Sequence, residues 1–168
     1  MKIAMKLFLA IATLITLAGC GGGGGGGTAP PPAQTTAVLK IGTQGTLGAG
    51  MSLYGVGVTI TLPPGVTVAT DSSGNIGASV AVVSGVASGG SVTPPVYTPA
   101  SRTLKLVVAA GATGFGTGEF VTVTCILPAG NTLLASDFPV SILSNLEPAD
   151  QQLNPVAGLS PTISAALF

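Results

Sequence analysis

Alternation with a period of two limits this chain more than any other feature. Val56, Val58, Ile60 and Leu62 alternate with Gly57, Thr59 and Thr61. Leu104, Leu106 and Val108 alternate with Lys105 and Val107, and Val121, Val123, Cys125 and Leu127 with Thr122, Thr124 and Ile126. Successive side chains of a strand point to opposite faces, so each segment has one continuously apolar face. Val and Thr also favour strands. Turn chemistry separates the segments at Pro63-Pro64-Gly65, Asp71–Asn75, Gly89-Gly90, Pro94-Pro95 and Gly111–Gly118. No long stretch repeats at 3.6 residues, and only Leu134–Phe138 suits a single helical turn.

The pattern predicts strands over 37–42, 53–62, 65–70, 77–83, 85–92, 96–98, 102–109, 119–127 and 138–143, with a last one near 160–167. Short strands at this spacing indicate an all-β fold, a two-sheet jelly-roll or Ig-like sandwich of about nine strands. The expected core takes Leu39, Ile41, Val56, Val58, Ile60, Leu62, Val66, Val68, Val80 and Val82 from the first half. From the second half it takes Leu104, Leu106, Val108, Val121, Val123, Cys125, Leu127, Phe138 and Ile142.

The N-terminus is organised differently. Lys2 and Lys6 precede an apolar stretch, Leu7–Thr16, and Leu17-Ala18-Gly19-Cys20 follow. A basic start, a short apolar run and small residues are the layout of an export signal. The run is shorter than the ~20 residues a membrane span needs. The last four residues resemble the lipobox of bacterial lipoproteins. That resemblance implies cleavage between Gly19 and Cys20, a diacylglyceryl thioether on Cys20 and acylation of the new amine. Such a chain is held at the membrane by several acyl groups. Gly21, rather than Asp, favours the outer membrane of the cell envelope. Residues 1–19 are thus expected to be a signal peptide, 20–36 a lipidated linker and 37–168 the folded domain. The linker comprises seven glycines, Gly21–Gly27, and then Thr28–Thr36 with three consecutive prolines. As a coil it spans roughly 20–24 Å, and fully extended about 55 Å.

Composition excludes several classes of chemistry. The chain has no histidine, which removes Ser-His-Asp and Cys-His catalysis and His-ligated metals. Beyond Cys20 the one thiol is Cys125, too few for a thiolate metal site. No metal or cofactor is expected apart from the lipid. Past the signal, Lys40, Arg102 and Lys105 face Asp71, Glu119, Asp137, Glu147 and Asp150. That balance gives no basic patch for nucleic acid. Asp71 and Glu119 border glycine-rich loops and are the carboxylates to consider for a glycosidase pair, which needs a separation of about 5–10 Å. As turn and edge residues they need no such role, and Asp71–Asn75 reads as an Asx-turn. Cys125 reads either as a small buried hydrophobe or as a reactive thiol.

Three stretches resemble the cohesin-like modules of the cohesin and carbohydrate-binding-module group. They are Tyr54–Val68, Thr103–Leu127 with its Gly118-Glu119-Phe120, and Ala135–Phe138 followed by Pro139–Leu143. The resemblance spans about residues 37–168. It implies a nine-strand jelly-roll that works by binding, as cohesins take dockerin modules on one flat sheet face. No partner-binding residue is fixed by a motif in that group. The chain departs from cohesins in its low charge and its lack of Trp. Tyr97 is the best exposed aromatic for a sugar platform, or else a packed strand residue with its hydroxyl at the rim. The expected function is a lipid-anchored, non-catalytic binding or adhesion module for a protein (dockerin-like) or polysaccharide. The alternative is a structural or assembly lipoprotein of the envelope that acts by strand-edge pairing.

Overall fold

The computed structural model describes residues 33–168; the expected signal, Cys20 and nearly all of the linker lie outside the described residues. The described residues form nine strands: β1 Thr36–Gln44, β2 Gly55–Thr61, β3 Ala81–Val83, β4 Ser91–Val92, β5 Val96–Thr98, β6 Thr103–Ala109, β7 Gly118–Ile126, β8 Leu143–Ala149 and β9 Ser160–Leu167. They make two antiparallel sheets. The first runs β3-β7-β1-β9 and the second β4-β6-β2-β8, with β5 also on β6. The chain changes sheet at every connection except those joining β4, β5 and β6. The all-β two-sheet sandwich is therefore the fold.

The inner faces supply one core. Leu39, Ile41, Val121, Val123 and Cys125 come from the first sheet and Val56, Val58, Ile60, Leu104, Leu106 and Val108 from the second, all buried. The alternation of the three long segments therefore points inward as the sequence suggests. Loop residues close the sandwich. At one end lie Leu62, Val66, Val68, Leu127 and Phe138; at the other lie Leu53 and Phe115, whose backbones bridge.

Three expected strands take other forms. Residues 65–70 are not a strand. Pro63 and Pro64 lack N–H groups, Gly65 turns the chain at φ 80, and only isolated bridges follow, Thr67 with Ile126 and Thr70 with Ile76. Val66 and Val68 are buried all the same. Within 85–92, Gly85–Ala87 is a 3-10 turn, and only Ser91–Val92 pair. Within 138–143, Pro139 precedes a 3-10 turn, Val140–Ile142, and the strand begins at Leu143. The helical turn expected over Leu134–Phe138 is a 3-10 turn, Ala135–Asp137. Asp137 Oδ2 accepts the Leu134 N–H at 2.8 Å.

Bulges explain the remaining differences in parity. On the β1–β7 ladder the register shifts between Ile41 and Gly42, so that Ile41 faces Val121 but Gly42 faces Glu119. Phe120 is the extra residue. Phe120 and Val121 are consecutive and both 0 % exposed, and Glu119 turns to the outer face. A side chain on Gly42 would meet Gly118 O at 2.7 Å and Thr162 Oγ1 at 2.8 Å. Glycine is what lets the two strands approach here. Val82, expected in the core, is 49 % exposed. The chain turns at Gly77–Val80, so Val80 and Ala81 bury in succession, and Val82 pairs with outward Thr122.

Candidate functional site

The outer face of the second sheet carries a groove that follows from the residues of β2. Gly55, Gly57 and Thr59 occupy the outward positions of that central strand, between β6 and β8. A glycine inside a strand weakens it, having nothing to pack and more backbone freedom to lose. Space does not require one at position 57. An added Cβ would make only ordinary contacts, at 3.4 Å to Glu147 Oε2 and 3.9 Å to Val107 Cγ2. Gly57 is thus a missing side chain in the middle of a sheet face.

The walls follow from neighbouring strands. On one side Val107 lies opposite Gly57 and Lys105 opposite Thr59, with Val96 of β5 beyond Lys105. On the other side Glu147 lies opposite Gly57. A second bulge sets this wall. Thr59 pairs with Ser144 and Gly57 with Glu147, so residues 145 and 146 together face one residue of β2. Asn145 takes up the difference in the left-handed region, at φ 50, a conformation that Asn tolerates better than most residues. The result is a shallow groove of about 310 Å³, lined by Gly57, Thr59, Thr93, Pro94, Val96, Lys105, Val107, Asn145 and Glu147. Thr59 is only 9 % exposed although it faces outward. Val96 and Val107 are 60 % and 44 % exposed. Among the described residues the ion pair formed is Lys40–Glu119, on the other sheet, at 3.5 Å. Lys105 and Glu147 therefore stand unpaired on the groove.

The residues singled out from sequence are scattered. Asp71 and Glu119 do not meet. Glu119 is the second residue of β7, whereas Asp71 lies in the loop beyond the bridge between Thr67 and Ile126, at the far end of β7. Asp71 Oδ1 accepts the N–H groups of Ser73 and Asn75, and Asn75 Nδ2 donates to Oδ2, closing an Asx-turn. Those hydrogen bonds, Asn75 first, lower the Asp71 carboxyl below its ordinary value. Glu119 is also lowered, first by the Ser84 hydroxyl and then by the Lys40 ammonium and Thr122 hydroxyl, against a desolvation that raises it. Cys125 is 0 % exposed, and burial pushes its thiol up to about 12. A thiol so held is neither a nucleophile nor a ligand at neutral pH. Tyr97 pairs with inward-facing Leu104 and packs half-buried against the core. Its neighbour Val96 faces the groove instead. Tyr54 donates its hydroxyl to Ala112 O at 3.4 Å. Gly19 and Cys20 lie outside the described residues.

No group of three or more metal-binding side chains occurs among the described residues. Sequence reasoning passed over Gly57, Asn145 and Glu147. Gly57 carried a signal, a glycine interrupting a Val/Ile/Thr strand. Asn145 and Glu147 carried none, because the bulge conceals the strand they belong to. No family model, curated protein or solved structure matches the chain.

Proposed function

We propose that this chain is a lipid-anchored, non-catalytic binding module of the cell envelope, of cohesin-like type, that engages its partner through the outer face of the second sheet. The observation that carries the reading is Gly57. A central-strand glycine that sterics do not require sacrifices strand stability and leaves a trough between an unpaired cation and an unpaired anion. Nine strands in two sheets fit the cohesin-like resemblance, and the lipobox supplies the anchor at Cys20. The wall composition favours a protein partner over a polysaccharide. Sugar platforms use exposed aromatic rings, whereas Tyr97 packs against the core and the groove presents Val96 and Val107 with Lys105 and Glu147.

The test is affinity capture with residues 21–168 as bait, from extract and medium of the source cells, with and without calcium. Gly57→Val and Glu147→Lys serve as paired controls. A macromolecule held by the wild type and lost by both variants, with their melting temperatures kept, supports the reading. Loss on chelation adds a dockerin-like partner. A ligand retained by Gly57→Val refutes the groove. Separately, Cys20→Ser should move the protein from the membrane fraction to the soluble one, and continued sedimentation refutes the anchor. The second reading, assembly through a strand edge, is favoured by one observation, the long uncharged edge strand β9.

A further inference from the structure

The four sheet edges differ sharply. β3 has three residues, and β4 and β5 have two and three. β8 is guarded by the Asn145 bulge, Glu147 and Pro148. Short, bulged and charged edges are the usual protection against strand addition. β9 is neither short, bulged nor charged, and its one proline, Pro161, stands next to its first residue. It is eight residues long, SPTISAAL, without charge and in unbroken register with β1 from Ser160 to Leu167.

The hydrogen bonds fix which of its groups are unused. Thr36 and Phe168 exchange both backbone bonds, at 3.1 and 2.9 Å. In an antiparallel pair such residues alternate with ones that bond outward. Residues 162, 164 and 166 therefore bond β1, while Ile163, Ala165 and Leu167 aim N–H and C=O away from the sheet. None of these three N–H groups has a hydrogen-bond partner among the described residues.

We infer that β9 pairs antiparallel with β9 of a second copy of this chain, about a twofold axis at Ala165. That register sets Ala165 against Ala165 and Ile163 against Leu167 of the second copy. All three free N–H groups of each copy then meet a free C=O. Pro161, which has no N–H to offer, falls outside the paired span. On the outer face Ala166 meets Ser164, and Phe168, 67 % exposed in one copy, comes beside Thr162 of the other. What favours a second copy is the side-chain register: Ile163 with Leu167 and Ala165 with Ala165 put apolar side chains together on the core-facing side, and neither strand brings a charge to the pairing. The opposite edge of the sheet is the three-residue β3, so the pairing closes as a dimer instead of growing into a filament.

The inference does not depend on the groove. Gly57→Val should leave the dimer intact, so either idea can fail alone. The experiment measures mass by sedimentation and amide exchange by NMR on residues 21–168, which contain every strand and the core, from micromolar to millimolar concentration. A dimer is expected in which the amides of Ile163, Ala165 and Leu167 exchange at least roughly tenfold more slowly than in the dilute monomer. Ala165→Pro removes the central outward N–H without touching the β1 ladder and should give a monomer. Ala166→Glu places two like charges on diagonal positions across the axis and should do the same. If the proline variant fails to fold, the Glu variant decides. A chain that stays monomeric at millimolar concentration overturns the inference. So does a dimer in which those three amides are unprotected, or a folded Ala166→Glu variant that still dimerises.

Discussion

Replacing Phe120 with Ala tests the bulge that shapes the first sheet. In a regular ladder, strict alternation from Val121 would put Phe120 on the solvent face. A change there would alter stability by no more than about 0.5 kcal/mol. The bulge instead turns the ring into the core, where it is 0 % exposed and heads the largest fully buried side chains. Truncating a buried Phe loses its transfer energy and leaves a cavity, together about 3–5 kcal/mol. At ~2.1 cal/mol/K of unfolding entropy per residue, a domain of this length should melt about 10–17 °C lower. Urea titration of wild type and variant, fitted with a common slope, reads the difference directly. Ile126→Ala, at a 43 % exposed position on the same strand, is the control and should cost under about 1 kcal/mol. Gly42→Ala, which forces a Cβ against Gly118 O, should also destabilise, by roughly 1–3 kcal/mol. A Phe120→Ala variant within 0.5 kcal/mol of wild type would refute the bulge and the outward placement of Glu119 that depends on it.

Three further outcomes follow from the geometry. Cys125, raised to about 12, should resist thiol reagents at pH 8 in the folded protein and react once urea unfolds it. Its ionisation favours the unfolded chain, so its contribution to stability is intact below the unfolded thiol value of about 8.5 and declines as pH rises toward 12; the advantage of wild type over Cys125→Ala in denaturation midpoint should therefore be smaller at pH 10.5 than at pH 8. Asp71 and Asp150 close the same five-residue turn, each bonding two backbone N–H groups and an Asn side chain. Both carboxyls are lowered, so NMR titration should place both below the ~3.9 of a free Asp. The stability they give is present above that value and lost as pH falls through the lowered ones. The fourth position of the first turn is Gly74 at φ 82, but that of the second is Leu153 at φ 64 and 79 % exposed. Leu153→Gly relieves a left-handed conformation costing a bulky residue about 1–2 kcal/mol and should raise the melting temperature; an unchanged or lower value would show that the exposed leucine is held by contacts elsewhere.

Where alternation is clean, sequence and structure agree residue by residue. β2, β6 and most of β7 bury Val56, Ile60, Leu104, Val108, Val123 and Cys125 as their period requires. Disagreement falls where a bulge breaks the count, or where prolines, glycines and 3-10 turns replace the expected strand, as at 65–70, 85–92 and 138–143. Phe120 beside Val121 was a legible break, since two adjacent large apolar residues in a half-buried strand call for a bulge. β8 was not legible. Leu143-Ser-Asn-Leu-Glu-Pro-Ala loses its period at Asn145 and carries a proline, and both features argue locally against a strand. Only the edge position on the second sheet, where one side of the strand needs no partner, makes that segment extended. The groove therefore could not be read in full, because one wall belongs to β8.

The sequence by itself determined that two apolar sheet faces must be stacked, because period-two patterning leaves each strand with a face that water disfavours. It also determined which thiol and carboxylates exist to do chemistry. Tertiary structure decided which strands lie side by side, where the two bulges reverse parity, and so which side chains surround Gly57 and which edge is left open at β9. Those outcomes rest on pairings between residues distant in the chain. Backbone hydrogen bonds carry no sequence identity of their own, so a register is chosen only when the whole core closes around it.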